Sequence, residues 1–279
     1  MRILSAKARV AGIAGWPVAH SRSPLIHGFW LDRHGIDGAY VPLPIAPDSF
    51  VIAMHGLRAA GFAGANVTVP HKRAAFALCD RVDESARRAG AVNTLVFSQE
   101  QIEGSNTDGF GFLAGLRDEH VDPTAGPALI LGAGGAARAV AAALLDLGVP
   151  VSVANRTEAR ATALAQDLPG LRVVRWEDRS AALGAHALLV NATTLGLDGS
   201  GDPGLALDRA QPGLVVTDLV YVPLQTPLLA AARRHGLRTV DGLGMLLHQA
   251  RPGFNAWFGV DPTVDAALRA AVLADLPPA

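Results

Sequence analysis

The sequence predicts an α/β protein built as two α/β domains, and three observations carry that reading. Short β-rich runs alternate with longer helical patterns from end to end, which marks βα units and a mainly parallel sheet. At 279 residues, half of them apolar, the chain holds more material than one small core needs. A Pro- and Gly-bearing break, VDPTAGP at residues 121–127, then separates two such alternating stretches and reads as a joint between lobes.

The first stretch reads strand ARVAGIAG, helix PLIHGFWLDRHG, strand GAYVPLPI, helix PDSFVIAMHGLRAAG and strand FAGANVTV. A helix from Asp108 to about His120 precedes the joint. Beyond it, PALILGAGGAARAVAAALLDLG restarts the alternation with a fully apolar strand and a helix rich in alanine, the strongest helix former. VPVSVANR, ATALAQDL, LRVVRW, AHALLVNAT, GLVVTDLVY and TPLLAAARRHG continue it. The chain closes with GLGMLLHQARPGFNAWFGV and PTVDAALRAAVLADL, helical stretches with no strand between them. Such helices must cover something, and the first lobe is the nearest candidate.

Composition narrows the class of partner. A formal net charge of −1, with Lys and Arg not clustered in runs, argues against nucleic acid or a membrane surface. One cysteine, Cys79, leaves no internal disulfide and fits a reducing compartment. The N-terminus MRILSAKARVAGIAG lacks a secretory apolar core, and no apolar stretch reaches membrane-span length without Gly, Pro or charge. The reading is a cytoplasmic protein.

In ALILGAGGAARAV, the run Gly132, Ala133, Gly134, Gly135, Ala136, Ala137 follows an apolar strand and opens a helix. This is a G-x-G-x-x-A form of the dinucleotide fingerprint, whose glycines allow a tight turn and let backbone amides approach a pyrophosphate. Close helix packing is the alternative use of such glycines. The next strand ends in Asn155, Arg156, Thr157, Glu158, Ala159, Arg160, where an NAD site would place an acid. Arg156 and Arg160, four apart on a predicted first helical turn, share a face and oppose the helix dipole unless an anion is near. A 2′-phosphate would supply it; solvated arginines with Glu158 as local partner are the alternative.

Three single residues stand out in the first lobe and at its end. In GANVTVPHKRAAF, Pro70 reads as a helix start, so Lys72 falls in the first turn with Thr68 behind it, as a surface lysine or as a proton donor. Asp108 in GSNTDGFGFLAGL is an N-cap or that lysine's carboxylate partner. Asn93 in GAVNTLVF is a turn residue or a site amide. His20, His27 and His71 lack metal-ligand spacing, so no metal is expected, and they are read as orienting the turn and helix backbones.

The order GWPVAHSRSPLIH, GANVTVPHK, GAVNT, GSNTDG, GAGGAAR, NRTEAR, NATTLGL, DLVYVPLQTPLL, GLGMLLHQA resembles the shikimate dehydrogenase family across nearly the whole chain. The resemblance implies a substrate lobe, residues 1–107 plus 243–279, closed by the C-terminal helices, and a Rossmann-like NADP-binding lobe, 108–242. It implies that Ser21 and Ser23 bind the substrate carboxylate and that Thr68, Asn93, Tyr221 and Gln249 contact the ring hydroxyls and carboxylate. Lys72 and Asp108 match the catalytic pair, Asp108 also touching substrate. Gly132 to Ala136 and Asn155 to Arg160 match the NADP sites, with Thr193, Leu219, Gly242 and Met245 around the nicotinamide. Gly28 departs from a common asparagine and Leu219 from a common methionine, which bears on affinity rather than on the reaction. The implied activity is NADPH-dependent reduction of 3-dehydroshikimate to shikimate, with a homodimer compatible. A quinate/shikimate dehydrogenase tolerating NAD and a non-catalytic regulator that binds shikimate and NADP are the rivals.

Overall fold

The computed structural model describes residues 3–197 and 199–276; the outermost residues of the expected first lobe, 1–2 and 277–279, lie outside that set. The chain divides into two units, one up to Thr107 together with Gln249–Asp275, the other Asp108–His248 with Leu276. The return to the first unit comes at Gln249 and not at residue 243. Close backbone packing explains the difference: a Cβ on Gly115 would stand 3.0 Å from the Gly244 carbonyl carbon, and His248 bonds Asp118 at 2.6 Å.

The first unit contains β1 (Arg9–Gly15), α1 (Ser23–Arg33), β2 (Gly38–Pro44), α2 (Phe50–Ala59), β3 (Gly64–Val67), α3 (Lys72–Leu78), β4 (Arg81–Val82) and α4 (Glu84–Ala89). β5 (Thr94–Phe97) and β6 (Ile102–Ser105) complete its sheet, in the order β2-β1-β3-β5-β6-β4. Three of the five pairings are parallel, but β3–β5 and β5–β6 are antiparallel. The expected mainly parallel sheet is therefore mixed here. A tight turn joins β5 to β6, with Ser98 N–H donating to the Gln101 carbonyl at 3.0 Å, and a turn without a crossover helix can only pair strands antiparallel.

The second unit contains α5 (Asp108–Asp118), β7 (Ala128–Leu131), α6 (Gly135–Asp146), β8 (Val151–Ala154), α7 (Glu158–Asp167), β9 (Arg172–Val173) and α8 (Arg179–Ala182). β10 (Leu188–Asn191), β11 (Val215–Asp218), α9 (Pro227–Arg234), β12 (Arg238–Val240) and α10 (Leu243–Gln249) follow, with α10 ending one residue into the first unit. Its all-parallel order β12-β11-β10-β7-β8-β9 is the doubly wound arrangement of dinucleotide-binding folds, with the switch point between β7 and β10. β7 and β8 are buried throughout, as strands covered on both faces must be. On α5, Phe112 and Leu116 pack with Val140 and Leu144 of α6.

The C-terminal helices α11 (Arg251–Phe258) and α12 (Ala266–Ala274) belong to the first unit. Asp265 caps α12, accepting from Leu268 N–H at 3.0 Å, and its contact with Arg33 of α1 at 2.7 Å ties the two helices. Trp257 of α11 is fully buried and donates its Nε1–H to the Leu95 carbonyl at 2.9 Å. Gly64 makes room for it, since a Cβ there would stand 2.1 Å from that carbonyl oxygen and 2.2 Å from Trp257 Nε1. Gly64→Ala is expected to displace the indole, leave a buried donor unpaired and cost about 2–4 kcal/mol. Thermal unfolding checks this: a lowered midpoint is expected, and an unchanged one would contradict the packing described.

Candidate active site

In the first unit, β3, the start of α3 and the start of β5 bring Thr68, Lys72 and Asn93 to one end of the sheet. Thr68 N–H donates to the Ala14 carbonyl at 2.9 Å, and the Thr68 carbonyl accepts from His71 N–H at 2.9 Å. Pro70 is not the first residue of the helix: it follows a cis peptide bond inside this turn. Lys72 is itself the first residue of α3, half-buried, and its carbonyl accepts from Val92 N–H at 3.0 Å. That bond ties the lysine's backbone to the segment carrying Asn93.

Asn93 is buried and fully engaged. Its Oδ1 accepts from Thr107 N–H at 2.9 Å, while its Nδ2 donates to Thr107 Oγ1 at 3.1 Å and to Gln249 Oε1 at 3.3 Å. Thr107 Oγ1 donates to the Gln249 carbonyl at 2.8 Å, so one threonine orients two expected substrate contacts. Sequence reasoning assigned Thr107 nothing. It also passed over Asn66, which lies on β3 two residues before Thr68, and Tyr40 on β2. Tyr40 donates its hydroxyl to Asn66 Oδ1 at 2.6 Å, and Asn66 Nδ2 donates to the Asn93 carbonyl and to Thr94 Oγ1, both at 3.1 Å. Burial pushes the Tyr40 phenol well above its ordinary pKa, with the Ser23 hydroxyl pulling the other way.

Ser21 and Ser23 flank the start of α1. Ser21 Oγ accepts from Ser23 N–H at 3.2 Å, and Arg22 between them is held by Asp275 at 2.6 Å. Hydroxyls, not a free guanidinium, are what this turn offers an anion. His27 sits on α1 stacked on Tyr40 at 3.9 Å between centroids, and neither ring nitrogen has a hydrogen-bond partner among the described residues. Burial lowers its pKa to about 3, so it is a neutral ring in an aromatic cluster. The backbone-orienting role expected of the histidines does not apply to it. His71 Nε2 does meet a backbone group, the Ile45 carbonyl at 2.8 Å. Among the described residues no cluster of three His, Cys, Asp or Glu side chains could hold a metal.

In the second unit, the loop after β7 has the features of a phosphate cradle. Gly132 adopts φ +106°, and a Cβ there would stand 2.9 Å from the Ala192 carbonyl oxygen, so only glycine suits both its conformation and its surroundings. Gly134 and Gly135 have open space where a Cβ would stand, and no side chain caps the α6 N-terminus. Backbone N–H groups and the helix dipole there are available to an anion. Ala133 and Ala136 complete the loop, half-buried.

After β8, Asn155 Nδ2 donates to the Thr157 carbonyl at 2.8 Å. Thr157 is the N-cap of α7 with extended backbone, so Arg156 lies before the helix and only Arg160 lies in it. The shared helical face expected for the two arginines is therefore not formed. Both are exposed, and neither side chain makes an ion pair or hydrogen bond among the described residues, Glu158 included. These features fit a dinucleotide carrying an additional phosphate.

At the ends of β10 and β11, Thr193 Oγ1 donates to Asn191 Oδ1 at 2.7 Å, and Leu219 N–H donates to the Asn191 carbonyl at 3.0 Å. Gly242 must be glycine, because a Cβ there would stand 2.4 Å from the Leu219 carbonyl oxygen. Leu219 and Met245 pack, partly open, against the core together with Ala133 and Ala192. Tyr221 precedes the cis Val222–Pro223 bond by one residue, and Asp108, buried, is the first residue of α5.

Three family profiles match the chain: "Shikimate dehydrogenase substrate binding domain" over residues 13–95, "Shikimate / quinate 5-dehydrogenase" over 119–195, and "Shikimate 5'-dehydrogenase C-terminal domain" over 242–272. The chain belongs to the shikimate dehydrogenase family. It is 66% identical to the NADP(+) shikimate dehydrogenase of Acidiphilium cryptum, over 98% of this chain and 99% of that protein. It is 57% identical to the corresponding enzyme of Rhodospirillum rubrum, over 97% and 99%. Among solved structures, the shikimate 5-dehydrogenase of Thermus thermophilus in complex with NADP(H) and shikimate aligns with TM-score 0.87 and 41% identity, covering 95% of this chain and 99% of that one. The α/β fold of two domains expected from the sequence is the fold of this family.

Proposed function

We propose that this chain catalyses the reversible NADPH-dependent reduction of 3-dehydroshikimate to shikimate, a step toward chorismate and the aromatic amino acids. The observation that carries this reading is the near full-length identity to an NADP(+) shikimate dehydrogenase. The first unit with α11 and α12 is assigned to substrate and the second to NADP. The reading is of a cytoplasmic enzyme acting on a small molecule, without nucleic acid or membrane as partner, and a homodimer is compatible with it. No helix among the described residues is long and apolar enough to cross a membrane.

When bound, NADPH supplies the hydride that reaches the C3 carbonyl carbon. The Gly132–Ala136 loop takes the pyrophosphate on its backbone amides, and Asn155, Arg156, Thr157 and Arg160 take the ribose and its 2′-phosphate. Thr193, Leu219, Gly242 and Met245 border the nicotinamide. Ser21 and Ser23 donate to the substrate carboxylate, and Thr68, Asn93, Tyr221 and Gln249 contact the ring hydroxyls and carboxylate. As charge builds on the C3 oxygen, the Lys72 ammonium neutralises it and delivers a proton. Asp108 is assigned to the C4 hydroxyl as the second member of the catalytic pair that the family resemblance implies.

Ser21→Ala and Ser23→Ala are each expected to raise KM for shikimate, by the loss of a hydrogen bond to a charged group worth about 1.5–3 kcal/mol, with KM for NADP little changed. A substrate analogue without the carboxylate should be insensitive to both substitutions; equal sensitivity would place the serines elsewhere. A bacterial strain lacking shikimate dehydrogenase tests the function as a whole. The chain should restore growth without added aromatic amino acids, and failure of a well-expressed wild-type chain to do so would contradict the proposal.

A further inference from the structure

Asp218 ends β11 as a fully buried carboxylate, and no cation pairs with it among the described residues. Its Oδ1 accepts from Asn191 Nδ2 and from Val220 N–H, both at 3.0 Å, and its Oδ2 accepts from Thr226 Oγ1 at 2.7 Å. The two donors to Oδ1 are fixed from outside the carboxyl group. Val220 offers a backbone N–H, and Asn191 must turn its amide nitrogen toward Asp218 because its Oδ1 accepts from Thr193 N–H at 3.2 Å. Oδ1 is thus held as an acceptor on two sides, while burial raises the pKa of the group.

The hydrogen bonds run as one chain, Thr226 to Asp218 to Asn191 to Thr193, across register partners on neighbouring strands. They join the loop after β10 to the loop after β11, and through Thr226, which also accepts from Leu229 N–H at 3.3 Å, to the cap of α9. A buried carboxyl group without a counter-ion is a poor device for stability, since an apolar replacement would avoid its desolvation cost. What it offers is a fixed position for two loops.

Those loops have a definite place in a doubly wound sheet. A dinucleotide crosses the C-terminal strand ends at the switch point. The glycine loop after β7 and the arginines after β8 suit its phosphates and adenosine half, which leaves the β10 and β11 ends for the nicotinamide half. We propose that Asp218 is a positioning residue for that half, fixing the segments that carry Thr193 and Leu219. The inference rests on the NADP reading given above.

Calorimetric titration of the whole protein with NADP(+) and with adenosine 2′,5′-bisphosphate, which carries the phosphates and adenosine but no nicotinamide, separates the two ideas. Wild type should bind both. Asp218→Asn, which turns the Oδ2 acceptor into a donor facing Thr226, should weaken NADP(+) roughly tenfold, the worth of one hydrogen bond to a charged group, and leave the bisphosphate unchanged. Thr226→Val should act in the same direction and Thr226→Ser should restore affinity, which keeps the test open if Asp218→Asn does not fold. Equal weakening of both ligands would make Asp218 an ordinary structural residue, and unchanged NADP(+) binding would likewise overturn the proposal. Failure of wild type to bind either ligand would overturn the cofactor reading, and this inference with it.

Discussion

Lys72→Ala is expected to lower turnover roughly 10²–10⁴-fold, the usual worth of a positioned acid or base, while shikimate binding changes much less. On the proposed reading the ammonium would matter most when the carbonyl oxygen gains charge, whereas ground-state shikimate would retain the Ser21, Ser23, Thr68, Asn93 and Gln249 contacts. An interaction made mainly in the transition state appears in turnover and not in affinity. The lysine is well placed for such a role, since it opens α3 and its carbonyl is tied to Val92, next to Asn93. Calorimetric binding and steady-state turnover on one preparation check it. Unaltered turnover would remove Lys72 as the acid, and matched losses would reduce it to a substrate anchor.

Arg156→Ala combined with Arg160→Ala is expected to weaken NADP binding by roughly a hundredfold or more, two lost charge-assisted contacts, and to leave NAD binding nearly unchanged. The two side chains leave different backbone, Arg156 from the extended segment before Thr157 and Arg160 from α7. Each single substitution should therefore account for part of the loss. Neither arginine side chain is held by a protein partner among the described residues, so their removal costs little elsewhere. Binding measured for both cofactors decides the matter: equal weakening of NADP and NAD would make the arginines structural.

The second unit was the more legible half of the sequence, because its signals are local. ALILGAGGAARAV states strand, turn and helix within thirteen consecutive residues, and its strand β7, in the middle of the all-parallel sheet, is apolar throughout. The first unit hid more. The β5–β6 turn at Ser98–Gln101 contains no Gly, Pro, Asn or Asp, and Ser98, whose hydroxyl bonds the Gln101 backbone, is a weak turn signal by itself. Pro70 carried the sign of a helix start, yet it lies in the turn before α3. The site residues flagged one by one were those with a local context, such as Lys72 behind a proline or Asp108 opening a helix. Tyr40, Asn66 and Thr107 were missed because their partners come from distant strands, and Asp218 and Asn191 because a hydrogen bond between strand ends has no sequence period. GANVTV held the one usable hint, Asn66 and Thr68 on the same face at strand spacing.

The most direct measurement is the formation of reduced nicotinamide cofactor by the purified protein, with shikimate or quinate as substrate and NADP or NAD as acceptor. The highest kcat/KM is expected for shikimate with NADP, with a clear drop when either is replaced. Equal or better use of quinate with NAD would contradict it in favour of a broader quinate/shikimate dehydrogenase, and binding of shikimate and NADP without turnover would mean that the chain senses these molecules instead of converting them.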